Sequence, residues 1–261
     1  MFILAGVLFL VALGFTVLGQ GGGSLYTPVQ IIAGIDFHTA ATTSLFLIMI
    51  ASVSSSLVFR KAKRIDWPLA LVLESFTALG GLAGGLVSGR FSGSFLSALF
   101  AAVVAIAGFF MVVHFSPPER QVAGRSRFTC WIRSFGGTTY HVNLAVALPI
   151  SFVAGLASGL VGVGGGILKV PMMVLLFGVP MEIAIGSSAF MVGMTALGGF
   201  AGHVVAGHWD WKTSLILAVA VFAGGQIGAR LSVRIERGKL KKVFGVFLLV
   251  IATYMVARAL W

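Results

Sequence analysis

Long apolar segments follow one another along almost the whole chain, separated by short polar or glycine-rich stretches. An α-helix needs about 20 apolar residues to cross a hydrocarbon core. The pattern predicts elements at about 2–18, 24–35, 39–59, 66–89 and 94–114, and again at about 143–161, 167–178, 183–205, 210–232 and 240–259. The second element of each group is short, since about twelve residues span only about 18 Å. We therefore expect an all-α integral membrane protein with broken or re-entrant glycine-rich helices near the midplane.

The second half of the chain repeats the first. "GQGGGSLYTP" at 19–28 matches "GVGGGILKVP" at 162–171 with an offset of 143 (171 minus 28), and after one inserted residue the offset is 144. The larger offset pairs Gly80-Gly81 with Gly224-Gly225. The sequence thus predicts one transmembrane domain over 1–261, made of a first repeat at 1–115, a linker at 116–142 and a second repeat at 143–261.

Basic clusters predict how the two repeats are oriented. "RKAKR" at 60–64 follows the third element of the first repeat, whereas "RIERGKLKK" at 234–242 follows the fourth element of the second. Lys and Arg collect in cytoplasmic loops. Both clusters and the basic linker 116–142 lie inside only if the repeats are inverted, with five crossings each, or three plus a re-entrant pair. We expect a multi-pass protein of the bacterial inner membrane with these loops in the cytoplasm.

Composition excludes a water-soluble domain, because 58% of the residues are hydrophobic, 10% are charged and the mean hydropathy is +1.05. The net charge of +11 therefore reports membrane orientation and not nucleic-acid binding. The N-terminal apolar run has no Lys or Arg before it and no Ala-x-Ala-like site after it, which favours a retained helix over a cleaved signal peptide.

The glycine runs 21–23 and 164–166 predict a site for an anion. Backbone that leaves helical geometry inside a bilayer must be buried or line a cavity. A helix follows each run, with a proline expected near its first turn, and helix N-termini offer amide donors and partial positive charge. Lys169, which replaces Tyr26 of the first repeat, adds a full charge. Close helix packing without any ligand is the alternative.

Two further sets of polar residues are candidates. Thr43, Ser44, Ser187 and Ser188 lie near the starts of the third elements, where their hydroxyls either bind the anion or join packed helices. Glu74 is the only acidic residue deep in a predicted span, which makes it a candidate proton carrier. A structural pairing of Glu74, with Arg230 or a backbone donor, is the alternative.

No pattern of an enzyme appears: no His-Glu-x-x-His, no Gly-x-Ser-x-Gly, no cysteine pair and no two carboxylates in one span. We expect no cofactor and no metal. Asp66 and Asp210, each followed by Trp, are predicted helix N-caps. The expected partners are a small anion and the lipid bilayer, and homo-oligomer formation stays open.

The stretches "GVGGGILKVPMMVLLFGVPMEIAIGSSAF" and "GQGGGSLYTPVQIIAGIDFHTAATTSLF" resemble the duplicated signature of the TauE/SafE family of sulfite and organosulfonate exporters. The resemblance covers nearly the whole chain and implies transport of sulfite, sulfoacetate or related sulfur anions. The first repeat departs from the signature at "DFH" (36–38) and "TTS" (42–44), which leaves the substrate open. The predicted substrate-binding residues are Gly21, Gly22, Gly23, Thr43, Ser44, Gly164, Gly165, Gly166, Lys169, Ser187 and Ser188.

These observations predict a secondary transporter that moves a small sulfur-containing anion by alternating access, with Glu74 as the candidate for proton coupling. Two alternatives remain at this point. A passive anion channel would use the same helix ends without gating, and a membrane subunit would have no transport activity of its own.

Overall fold

A computed structural model describes residues 1–87, 105, 108–109, 112, 130–135, 137–161, 166–205 and 209–260. Most of the fifth element predicted for the first repeat, and Gly164 and Gly165, lie outside these residues. The helices are α1 (Phe2–Val17), α2 (Gly23–Ile32), α3 (Phe37–Lys61), α4 (Trp67–Val87), α5 (Leu144–Val161), α6 (Gly166–Pro171), a π-helix (Met172–Leu176), α7 (Met181–Val205), α8 (Trp211–Arg234) and α9 (Arg237–Leu260). Where the described residues cover them, the predicted elements are helices within a few residues of the expected bounds.

Several of these helices are suited to a membrane. Among the described residues, the segments long and apolar enough to cross one are Thr39–Lys61, Met181–Gly198 and Trp211–Arg234. Shorter apolar helical segments are Phe2–Val17, Trp67–Ala83 and Leu144–Ala157. The structure therefore agrees with a mostly helical membrane protein.

The second element of each repeat is short, as predicted. α2 has 10 residues, whereas α6 has 6 and continues into a π-helix of 5 residues. Pro28 and Pro171, which were expected near the first turn, are each the sixth residue of the helix and lie in its second turn. Each helix begins directly at a residue of the glycine run. Proline 171 lacks an amide hydrogen and cannot donate to the preceding turn, and the backbone widens into the π-helix directly after it.

The linker contains a β-hairpin, so the prediction of an all-α protein is wrong there. Strand β1 (Cys130–Phe135) pairs antiparallel with β2 (Thr138–Asn143), in a register that joins Cys130 to Asn143. The sequence carried the signal, because two glycines separate two segments rich in aromatic, Thr and β-branched residues.

The helices form two compact units, and each unit combines parts of both repeats. Unit 1 consists of Met1–Ala70 and Ile185–Ile235, and unit 2 consists of Leu71–Ala184 and Glu236–Trp261. In unit 1, α1 and α3 of the first repeat pack on α8 of the second. The core of unit 1 contains Leu4, Leu8, Ala12, Tyr26, Leu47, Ile48, Ala51, Val192, Ala196, Leu217, Ala218 and Val221.

Equivalent glycines make equivalent helix contacts in the two units. In unit 1, a β-carbon at Gly224 would meet the carbonyl oxygen of Phe9 and, at 3.2 Å, the amide nitrogen of Leu13. In unit 2, a β-carbon at Gly80 would meet the carbonyl oxygen of Phe152 and, at 2.9 Å, the amide nitrogen of Leu156. The repeat offsets pair these residues one by one. The first element of each repeat therefore packs on the fourth element of the other.

We expect Gly224→Ala to lower the free energy of unfolding by about 1–3 kcal/mol, because the new methyl group would collide with backbone atoms of α1. Thermal unfolding of the purified protein in detergent measures the effect. Gly14→Ala in α1 is the control, since a β-carbon there meets nothing within 4 Å and alanine favours a helix. Equal melting temperatures for the two variants would contradict the close contact.

Helix α3 runs antiparallel to α7 in unit 1, although the two are the third elements of their repeats. In the first half of α3, the ring of Phe46 lies 5.5 Å from that of Phe200, late in α7. Just beyond the end of α3, the backbone of Arg64 approaches Gly186, early in α7. The third elements of the two repeats therefore point in opposite directions.

Helix α8 runs parallel to α3. The Thr43 and Ser214 hydroxyl oxygens lie 3.1 Å apart near the starts of these helices. Beyond the end of α3, the Arg64 guanidinium donates to the Ser232 carbonyl at 3.3 Å and the Val233 carbonyl at 2.8 Å. A cation is favourable there because the last carbonyls of a helix carry partial negative charge.

Both predicted N-caps are confirmed. The Leu69 amide donates to Oδ1 of Asp66 at 3.3 Å, and the amides of Lys212 and Thr213 donate to Oδ1 of Asp210 at 3.1 and 3.2 Å. The Thr213 hydroxyl also donates to Asp210, and these bonds favour the carboxylate and hold the pKa of Asp210 below its usual value.

Candidate functional site

A buried ion pair joins two residues that the sequence had singled out for different roles. In unit 2, Nζ of Lys169 in α6 donates to Oε2 of Glu74 in α4 at 2.6 Å. The Lys169 and Glu74 side chains are 1% and 7% exposed. Glu74 was expected to carry a proton, or to pair with Arg230 or a backbone donor, and Lys169 was expected to bind substrate. The structure makes them partners.

The helices that hold this pair carry no further charge. No other charged residue occurs in the sequences of α4, α5, α6 or the π-helix. Taking a carboxylate and an ammonium out of water costs several kcal/mol each, and their mutual attraction offsets this only in good geometry. The ammonium of Lys169 and the carboxylate of Glu74 therefore depend on each other, because removing one charge would leave the other buried without a partner.

The pair is present once, although the chain is duplicated. The offsets place Tyr26 at the position of Lys169 and Ala218 at that of Glu74. Tyr26 and Ala218 both belong to the hydrophobic core of unit 1. The two positions that hold opposite charges in unit 2 are thus both neutral in unit 1, and burying two charges is the costlier solution. This asymmetry marks unit 2 as a candidate functional centre.

The first glycine run forms a left-handed turn at the start of α2. Gly19, Gly21 and Gly22 have φ angles of +72°, +66° and +88°, which favour glycine. Gly22 is the N-cap of α2 and Gly23 is its first residue, with no side chain capping the helix. In the second run, Gly166 begins α6.

The candidate hydroxyls lie in unit 1 and most have protein partners. Thr43 contacts Ser214, the Ser44 hydroxyl accepts from Nε2 of Gln30 at 2.8 Å, and the Ser187 hydroxyl accepts from the Asp66 amide at 3.1 Å. Ser188 Oγ is buried and has no hydrogen-bond partner among the described residues. In this conformation, protein partners thus occupy the hydroxyls of Thr43, Ser44 and Ser187.

Gln30 was not singled out from the sequence, yet it is fully buried and connects α2 to α3. Its amide donates to the Tyr26 carbonyl at 3.1 Å as well as to Ser44. The available signal was an amide side chain within an apolar short helix, "YTPVQII". At the matching positions the second repeat has Met173 or Val174, so Ser188 has no equivalent donor.

Metal binding finds no support in the described part of the chain, where no group of three or more His, Cys, Asp or Glu residues could hold an ion. Arg230 is exposed and donates to Oε1 of Gln226 at 3.4 Å.

The chain is similar to known membrane transporter proteins. Residues 4–255 match the family described as Sulfite exporter TauE/SafE. A Bacillus subtilis protein named "Probable membrane transporter protein YunE" is 26% identical over 255 residues, covering 94% of this chain and 93% of the relative.

Two other relatives carry similar names. A Haemophilus influenzae "Probable membrane transporter protein" is 30% identical over 258 residues, which cover 91% of this chain and 90% of the relative. An Arabidopsis thaliana "Sulfite exporter TauE/SafE family protein 5" is 46% identical over 83 residues, which are 30% of this chain and 18% of the relative. No solved structure matches significantly. Because the family match spans nearly the whole length, the chain belongs to the TauE/SafE family of membrane transporters.

Proposed function

We propose that the protein is a secondary transporter for a small sulfur-containing anion, such as sulfite or an organosulfonate like sulfoacetate, across the bacterial inner membrane. The observation that carries this proposal is the buried ion pair of Lys169 and Glu74, 2.6 Å apart in unit 2. A buried ammonium is a strong ligand for an oxyanion. The family description and the name of the Arabidopsis relative support sulfur oxyanions as the substrate class.

Glu74 gives this cation a resident counter-ion that a substrate anion can replace. An incoming oxyanion accepts hydrogen bonds from Lys169 and displaces the Glu74 carboxylate. A displaced carboxylate that stays buried is costly, so Glu74 takes up a proton as the anion binds. One proton then accompanies one anion, and release of the anion restores the Lys169–Glu74 pair.

Alternating access is proposed to use inverted repeats, with the glycine runs near the midplane. The antiparallel packing of α3 and α7 supports inversion, because directly repeated elements would run parallel. The contact of Arg64 with the end of α8 supports placing loops 60–64 and 234–242 on one side, the cytoplasmic one. The short helices α2 and α6, at equivalent positions, support broken or re-entrant segments.

Uptake into proteoliposomes tests this function. The panel is labelled sulfite, thiosulfate, sulfonates and short carboxylates, each with and without a pH gradient. We expect saturable uptake of a sulfur anion, and faster uptake when unlabelled substrate is present inside. Uptake that rises linearly with concentration and shows no counterflow would indicate a channel. Folded protein that moves none of these anions would overturn the transport proposal.

A further inference from the structure

Buried hydrogen-bond donors collect at the first glycine turn, in unit 1. Tyr26 is fully buried, and a β-carbon at Gly22 would lie 2.5 Å from its hydroxyl oxygen, so the hydroxyl lies directly over the turn. On α3, Ser52 is 3% exposed, and its Oγ lies 3.5 Å from the β-carbon position of Gly21. We name Tyr26, Ser52 and the Gly21-Gly22 turn the Tyr26 cradle.

These hydroxyls are unsatisfied. Tyr26 Oη and Ser52 Oγ are buried and have no hydrogen-bond partner among the described residues, and the same holds for Nε2 of Gln20, which directly precedes the turn. Leaving a buried polar group without a partner costs the free energy of removing it from water. Phe and Ala would pack the same space without that cost. Donors held at this cost next to one glycine turn indicate a ligand that accepts hydrogen bonds.

The backbone of the cradle adds to the donor set. Gly22 is the N-cap of the 10-residue helix α2 and has no side chain to accept from the amides of the first turn, of which the Leu25 amide donates to the Gly22 carbonyl at 3.2 Å. The amide groups at a helix N-terminus carry partial positive charge and attract anions. Hydroxyls that act as donors, together with these amides, suit an oxyanion with several oxygen atoms.

The cradle has no full charge of its own. The position of Lys169 in the second repeat is occupied here by neutral Tyr26, and no Lys, Arg, Asp or Glu occurs in α2 or in residues 39–59 of α3. Neutral donors stabilise one negative charge spread over several oxygens. A second negative charge would stay uncompensated in a buried site, which is costly.

We propose that the Tyr26 cradle is a second anion site that selects singly charged sulfur oxyanions, the sulfonate group or hydrogensulfite, over dianions such as sulfate. This inference rests on the proposed function for its substrate class. It assigns the phenol of Tyr26 and the hydroxyl of Ser52 as ligands in unit 1, in addition to the ammonium of Lys169 in unit 2.

The test is equilibrium binding to the full-length protein in detergent, measured by ligand-dependent thermal stabilisation. The probes are methanesulfonate, a monoanion with three equivalent oxygens, and sulfate, a dianion at neutral pH. We expect Tyr26→Phe and Ser52→Ala each to weaken methanesulfonate binding by about tenfold or more, because a hydrogen bond to a charged group is lost. Sulfate should bind more weakly than methanesulfonate to the unmodified protein.

Ser55→Ala is the matched control. Ser55 lies on the same helix and is buried, but its hydroxyl already donates to the Ala51 carbonyl at 2.7 Å, so its removal should leave methanesulfonate binding unchanged. A purely structural hydroxyl would change the melting temperature without ligand and leave the ligand-dependent shift intact. Methanesulfonate affinity in Tyr26→Phe equal to that of the unmodified protein, or tighter binding of sulfate, would overturn the proposal.

The binding experiment and the transport experiment can each contradict one proposal without contradicting the other. If proteoliposomes transport a sulfur anion but Tyr26→Phe binds methanesulfonate normally, the Tyr26 cradle is refuted and the proposed function stands. If methanesulfonate binding depends on Tyr26 but no anion is transported, the cradle is supported and the transport proposal is refuted.

Discussion

Lys169→Met is expected to lower the free energy of unfolding by about 3–5 kcal/mol, because it leaves the Glu74 carboxylate buried without its ammonium partner. Transport should be lost as well. Thermal unfolding in detergent measures stability, and proteoliposome uptake measures transport. Lys239→Met is the control: Lys239 is 77% exposed and pairs with Glu236 at 3.7 Å at the surface, where an ion pair contributes about 0–1 kcal/mol.

A double variant separates the structural role of Lys169 from its proposed role in transport. Lys169→Met with Glu74→Leu replaces both charges by apolar groups, and such replacements of buried pairs are often neutral in stability. We expect the double variant to recover most of the stability lost in Lys169→Met, and none of the transport. Normal transport by the double variant would show that the pair only stabilises the fold and would remove Lys169 from the substrate site.

Periodicity and repeats predicted the helices, because those signals are local. The bounds of α3, α7 and α8 follow from apolar length and from neighbouring basic or capping residues. The pairing of Lys169 with Glu74 could not be predicted this way, since these residues lie 95 positions apart on elements of different repeats. The sequence did show that each lacks a charged counterpart in the other repeat. Two unmatched opposite charges in one duplicated apolar chain are a sign of pairing.

The glycine pair Gly80-Gly81 is a second feature that the sequence shows without showing which residues it contacts. Its match with Gly224-Gly225 was visible in the sequence, but the role of the match was not. The structure shows that each first glycine lets a helix of the other repeat approach its backbone. A matched glycine indicates that another element packs close to the backbone. Which element this is depends on how the helices of the two repeats pack together, and no local sequence pattern contains that information.

Glu74→Gln tests proton coupling directly, because glutamine keeps the size of the side chain and its oxygen acceptor for Lys169 but cannot take up a proton. We expect accumulation driven by a pH gradient to fall to the level found without a gradient, while exchange of substrate for substrate continues. The variant removes the negative charge that Lys169 contacts, so the substrate anion should bind more tightly, by about tenfold or more. Uptake and counterflow in proteoliposomes report these effects separately.

Glu236→Gln is the control for this experiment, since Glu236 is 74% exposed and its neutral form should leave transport and coupling unchanged. A loss of stability alone would lower gradient-driven uptake and exchange together. Loss of the gradient response with exchange retained is therefore specific to a proton carrier. If Glu74→Gln still accumulates substrate in response to the gradient, the proton travels by another route, and Glu74 serves only as the resident counter-ion of Lys169.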